Sequence, residues 1–277
     1  MDPQNGKDEF FIGWEKKIPK NNLKFLRKSI TLIFIITIIV SAAYSLSQKK
    51  FPNSKNELGY FKQISGVIYE YPVPLLKVKL DDNNYQSFLL VGSGKHNAYK
   101  TISHIKSQID GDISSYKVRL NATPIFYDGK VLVEIPLIQN TMDTISPLNE
   151  PYPDRDIVDM GFVELKGQII DPKCYFGLMK PAEGKIHRSC AIRCISGGIP
   201  PVLKIQNKEG ISEYFIILGK NGQPINKLIL NNVAIPVLVK GQLQKVDDWF
   251  VLKVDPEKDI LRNPNPSATN DYINDLQ

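Results

Sequence analysis

Cys174, His187, Cys190 and Cys194 gather all three cysteines and one of the three histidines of this 277-residue chain into one short stretch. Thiolates and a neutral imidazole are the donors that hold Zn²⁺ tetrahedrally, and thiolates also suit Cu⁺. The spacing adds to the chemistry. Ile186 to Ile195 reads as a short helix, closed by Gly197-Gly198 just past its end and by Pro200-Pro201. On that helix His187, Cys190 and Cys194 stand at i, i+3 and i+7, on one stripe. Cys174 lies sixteen residues before Cys190, in a turn led by Pro172. A fold that turns Cys174 back over the helix surrounds one zinc or copper ion with three sulfurs and a nitrogen, and Met179 is a weak extra donor.

Other readings of the same residues stay open. A disulfide, Cys174–Cys190 or Cys174–Cys194, would pin the loop and leave the third cysteine buried as a small hydrophobe. Cys190–Cys194 is disfavoured, because i,i+4 positions on a helix present their sulfurs poorly to one another. A reactive thiol or a covalently held cofactor is the third reading. Against it, the chain lacks Cys-x-x-Cys and Cys-x-x-Cys-His. A thiolate near a helix C-terminus also faces the negative end of the dipole. The Cys-x₃-Cys spacing matches dinuclear copper sites, but there the histidine follows the cysteines, whereas His187 precedes them.

Elsewhere the chemistry is sparse. Gly92-Ser93-Gly94-Lys95 lacks the spacing of a phosphate-binding loop, and His96 and His104 read as surface residues. Asp171, Asp247 and Asp248 fall at turns, and Trp249 and Phe250 read as barrel core. No Gly-x-Ser-x-Gly or His-Glu-x₂-His occurs, so no nucleophile–base set points to an enzyme. The net charge of +6 is spread along the chain without a basic, aromatic-studded face, which argues against nucleic acid as a partner.

The elements that must position the cysteines form a repeat. Residues 59–138 are β-rich: Gly66–Tyr71, Leu75–Leu80 and Phe88–Val91 are strand-like, residues 97–109 suit a short helix, and Val118–Leu120 and Val131–Ile135 flank a turn at Tyr127–Lys130. Residues 161–255 repeat this pattern, with Val163–Ile170, Phe215–Lys220 and the hairpin from Val239 to Val254 answering the first copy. The second copy gains a net 26 residues between its first and middle strands, and that gain holds the cysteine stretch. Each copy, with some five short strands and one helical connection, fits a small Greek-key barrel of the OB type, with a β-sandwich as the alternative. Residues 139–160, with Pro147, Pro151 and Pro153, read as a linker, and residues 256–277 as a loose tail. The fold class expected is mainly β: one transmembrane helix followed by two tandem OB-like barrels.

Residues 29–48 carry no charge and are long enough, at about 1.5 Å each, to cross the hydrocarbon core as a helix. Six basic residues (Lys16, Lys17, Lys20, Lys24, Arg27, Lys28) precede the span, against three (Lys49, Lys50, Lys55) soon after it. That asymmetry puts residues 1–28 in the cytoplasm and the remainder outside. A cleaved signal peptide, with Ser41 and Ala43 at the cleavage positions, is the alternative. Phe10, Phe11, Ile12 and Trp14 suggest an interfacial stretch on the inner surface.

The run from Lys166 to Gly177 and from Gly184 to Leu203 is similar to a pattern in an uncharacterised family of bacterial membrane-anchored envelope proteins. These pair an OB-like β-domain with Cys…His-x₂-Cys-Ala-x₂-Cys-Ile-x-Gly-Gly-Ile-Pro. The resemblance covers residues 163–205 and implies an envelope location beside membrane or redox proteins; with the charge asymmetry around residues 29–48, the expectation is a single-pass bacterial inner-membrane protein with its barrels in the periplasm. The function expected is a non-catalytic accessory subunit of a larger membrane complex, respiratory or redox in kind, that contacts the lipid bilayer and integral membrane subunits. An envelope zinc- or copper-binding protein or chaperone is the first alternative, and a thiol oxidoreductase the second.

Overall fold

The computed structural model describes residues 18, 20–48, 55–56, 59–136, 142–149, 152–177 and 179–262. The interfacial stretch expected at Phe10–Trp14 and most of the expected tail lie outside the described residues. The chain divides into two compact units, residues 1–51 and 52–277.

The first unit contains helix α1 (Lys20–Ser47). Its isoleucines lower helix propensity in water, but in hydrocarbon every peptide group must bond within the segment, and the helix does that. The stretch Asn22–Ser47 is long and apolar enough to span a membrane, with a mean hydropathy of 2.2 in its most apolar window and none of that window buried against protein. Its hydroxyls are returned to the backbone: Thr37 Oγ1 donates to the Ile33 carbonyl at 2.8 Å and Ser47 Oγ to that of Tyr44 at 2.9 Å.

The second unit begins with β1 (Lys55–Asn56), β2 (Lys62–Tyr69), β3 (Leu75–Lys79), β4 (Tyr85–Gly92), α2 (Tyr99–Lys106), β5 (Tyr116–Tyr127) and β6 (Lys130–Ile135). Strand β2 pairs β3, β3 pairs β4, β4 pairs β6, β6 pairs β5 and β5 returns to β2, which closes a five-stranded barrel. Only the β4–β6 pair is parallel, as the Greek-key order requires. Ile68, Leu76, Leu90, Leu120 and Val133 fill it, and Ile102 and Ile105 of α2 cover one end.

Strand β7 (Met142–Pro147) follows and lies along β5. Then come β8 (Ile157–Ile170), α3 (Pro172–Phe176), α4 (Gly184–Ser196), β9 (Val202–Gln206), β10 (Ser212–Gly219), β11 (Pro236–Val246), β12 (Trp249–Val254) and β13 (Ile260–Arg262). The second barrel closes in the same order, β8–β9–β10–β12–β11–β8, with β10–β12 as its parallel pair. Val237, Val239 and Leu243 alternate inward along β11, the period of two expected of a strand with one face in the core.

The structure corrects several expected boundaries. Residues 142–147 of the supposed linker pair with β5, and β8 begins at Ile157, opposite Val246. Pro147 ends a strand at the sheet edge, where a missing N–H costs little. In the supposed tail, Ile260–Arg262 pair with β11. The inserted residues lie between the first and second strands of the second barrel. The connection from third to fourth strand there has only a 3-10 turn, Leu230–Asn232, and the helical plug comes instead from α4, whose Ala191 and Ile195 join the barrel core.

The two barrels share a core. Val73, Leu75, Leu89, Ile125, Tyr127 and Leu132 of the first pack with Ile170, Phe176, Tyr214, Ile216, Trp249 and Val251 of the second. Trp249, expected in one barrel's interior, lies at this junction and donates through Nε1 to the Ser87 carbonyl at 2.8 Å. The Asp247-Asp248 turn is inserted here too. Lys77 Nζ is 3.0 Å from Asp247 Oδ1, Ser87 Oγ donates to Asp247 Oδ2 at 2.9 Å, and the Ser87 N–H donates to Asp248 Oδ2 at 2.6 Å.

Candidate metal centre

Each cysteine is placed by a local device. Strand β8 runs into Asp171, whose Oδ1 accepts from the N–H groups of Lys173 and Cys174 at 3.0 and 3.4 Å. That is an N-cap, with Pro172 at the first helical position where its missing N–H is harmless. The five-residue α3 therefore holds Cys174 at a set angle beside the end of β8.

Helix α4 stops at Gly197, and its last carbonyls are taken by the Gly198 and Ile199 N–H groups at 2.9 and 3.1 Å. Gly198 has φ of +97°, a conformation few other residues adopt without strain. Asn226 Nδ2 donates to the carbonyls of both Ile195 and Ile199 at 2.8 Å, which fastens this end to the second barrel.

The stripe expected on α4 is present and faces α3. His187 and Cys194 are buried, Cys190 is half-buried, and all three thiols are free. Cys174 Sγ lies 3.9 Å from Cys190 Sγ. Two sulfurs bound tetrahedrally at about 2.3 Å from one zinc stand about 3.8 Å apart, so the pair is spaced for a shared ion. A disulfide needs about 2.05 Å, and neither expected disulfide is formed in this structure.

The donor atoms of Cys174, His187 and Cys190 all lie within 4.8 Å of one another. Cys194, expected as the fourth member, falls instead into a second set with Cys174 and Asp171, again within 4.8 Å. The structure thus divides the expected four residues between two triads that share Cys174. Met179 is 51 % exposed, which turns it away from the buried cluster.

Two atoms of the site have no partner: His187 Nε2 and Asp171 Oδ2, each buried and without a hydrogen bond. A buried polar atom left unpaired is costly, and both of these lie beside the thiols. Burial holds the His187 pKa below its usual value, which favours the neutral imidazole that binds metals.

Two lysines complete the electrostatics. Lys95, from the loop after β4, places Nζ 3.0 Å from Cys190 Sγ and 3.5 Å from Cys194 Sγ. The contact with Cys190 raises the Lys95 pKa. The Cys194 pKa is lowered, first by the Cys174 thiol donating to it and further by the Lys95 charge, against burial and the Asp171 carboxylate, which raise it. Cys174 moves the other way, since it keeps the proton it shares with Cys194 and is also desolvated. Lys173 holds the loop that carries Lys95, donating to the Gly92 and Gly94 carbonyls at 2.7 and 2.8 Å and pairing with Glu134 at 3.2 Å.

Sequence reasoning missed Lys95 and gave Asp171 no ligand role. The Gly-x-Gly-Lys run was visible but weighed only as a phosphate loop. Its actual use is a close approach: a Cβ on Gly197 would strike the Lys95 carbonyl, and one on Gly198 the Asn97 side chain. His96, next to Lys95, and His104 are exposed as expected.

Comparison with protein-family models, curated proteins and solved structures gave no match. What fold and site define is therefore a class: a chain with one membrane-spanning-type helix and two fused five-stranded barrels, with a Cys/His cluster suited to a metal ion at their junction.

Proposed function

We propose that this chain is a membrane-tethered metal-binding protein of the bacterial envelope, in which Cys174, His187 and Cys190 hold a Zn²⁺ or Cu⁺ ion. One observation carries this reading. Two thiols and an imidazole with an unpartnered, buried Nε2 converge within 4.8 Å, at a sulfur–sulfur spacing suited to one tetrahedral ion. The six basic residues ahead of the uncharged span of residues 29–48 support an N-terminus in the cytoplasm and barrels on the periplasmic side. The envelope location is also what the family resemblance implies. Cys194 is 1 % exposed, which closes that sulfur to a bulky disulfide substrate.

The test is metal retention by the full chain, reduced and purified in detergent. At least one equivalent of Zn²⁺ or Cu⁺ remains after dialysis. Cys190→Ser and His187→Ala weaken binding by more than the ~10–100-fold that loss of an outer partner costs. Protein that holds no metal while all three thiols titrate overturns the proposal.

The accessory-subunit reading has one observation in its favour. Ile157, Val158 and Phe162 near the start of β8 are 47 %, 45 % and 68 % exposed, apolar surface such as docking uses. Co-purification of integral membrane subunits with detergent-extracted protein supports it, and recovery as a bare monomer counts against it.

A further inference from the structure

We infer that the centre holds two divalent ions, with the Cys174 sulfur shared between them: one at Cys174, His187 and Cys190, and a second at Asp171, Cys174 and Cys194. This rests on the metal-binding reading and goes beyond it by naming a second site and the class of ion it takes.

Two observations support the second ion. Asp171, Cys174 and Cys194 bring their donor atoms within 4.8 Å of one another, the same closeness as the first triad. Asp171 is 0 % exposed, and its Oδ2 has no partner although Oδ1 is fully engaged in capping α3. A carboxylate that needs one oxygen for the cap and buries the other without a donor is placed to meet a cation.

The carboxylate also selects the ion. Oxygen joins sulfur and nitrogen readily at Zn²⁺, whereas Cu⁺ prefers the soft donors alone. Each triad supplies three protein donors, so each zinc keeps one position for water or an external ligand.

The experiment is zinc stoichiometry by elemental analysis on the full chain in detergent, reduced, loaded with Zn²⁺ and dialysed. The wild type retains two zinc ions per chain. Asp171→Asn and Cys194→Ser each retain one; Asn keeps a side-chain oxygen for the α3 cap, so that variant folds with the helix intact. Cys174→Ser retains none after the same dialysis. One zinc in the wild type overturns the second site and leaves the proposed function standing, and no zinc overturns the second site together with the zinc form of the proposed function. Two zinc ions in both the Asp171→Asn and Cys194→Ser variants places the second ion elsewhere and overturns the inference.

Discussion

At Cys194 two influences act in one direction: the Cys174 thiol donates to it, and the Lys95 ammonium lies 3.5 Å away. Burial and the neighbouring Asp171 carboxylate oppose both, since desolvation and a like charge disfavour a thiolate. Replacing Lys95 by Met removes the positive charge and keeps much of the aliphatic stem. In the metal-free, reduced protein, the ultraviolet absorbance of the thiolate then appears at higher pH than in the wild type. An unchanged titration would show that the Lys95 contact leaves the thiols unaffected. The role of Lys95 was not legible in the sequence, because it lies 95 residues from Cys190 and belongs to the other barrel. His187 and the three cysteines were legible as a group, since residue type and i, i+3, i+7 spacing are local facts.

The elements that meet at the site are α3, α4 and the β4–α2 loop. Their fit depends on Gly197, where the Lys95 carbonyl fills the space a Cβ would take. The obstacle is backbone, which cannot rotate away as a side-chain tip would. Gly197→Ala therefore pushes the loop off the helix end, with an overpacking cost of about 1–3 kcal/mol. Chemical denaturation measures that loss, and the Lys95–thiol contact weakens with it. Gly197-Gly198 was readable as a helix stop, which it is. That it also admits a loop from the first barrel was not readable, because helix-end signals do not reveal what packs against the end.

For the whole molecule, the shared core makes residues 52–277 one compact unit. The barrels therefore unfold together, and calorimetry of the full chain shows one transition for both; two resolved transitions would contradict this. The Lys77–Asp247 pair is nearly closed to water, with side chains 7 % and 8 % exposed. Lys77→Met leaves the Asp247 charge buried without its counter-ion, at a cost of about 3–5 kcal/mol. A loss below about 1 kcal/mol, the worth of a surface pair, would show that the junction is wetter than it looks.

What the sequence determined by itself is whatever follows from short-range pattern. The uncharged span of residues 29–48, the two copies of a five-strand pattern, the excess of residues in the second copy and the single stripe on α4 all rest on period, composition and capping. Tertiary structure decided the rest. It fused the barrels through one core where the prolines of residues 139–160 suggested a free linker, and it moved Trp249 and Asp247 from one barrel's interior and turn into the junction. It also divided the expected four ligands into two triads, adding Asp171 and bringing Lys95 to the thiols. The physical reason is that these contacts form across sequence separations of up to about 170 residues, as between Lys77 and Asp247. They depend on how two closed sheets bury their remaining apolar faces against each other, and no local periodicity records that.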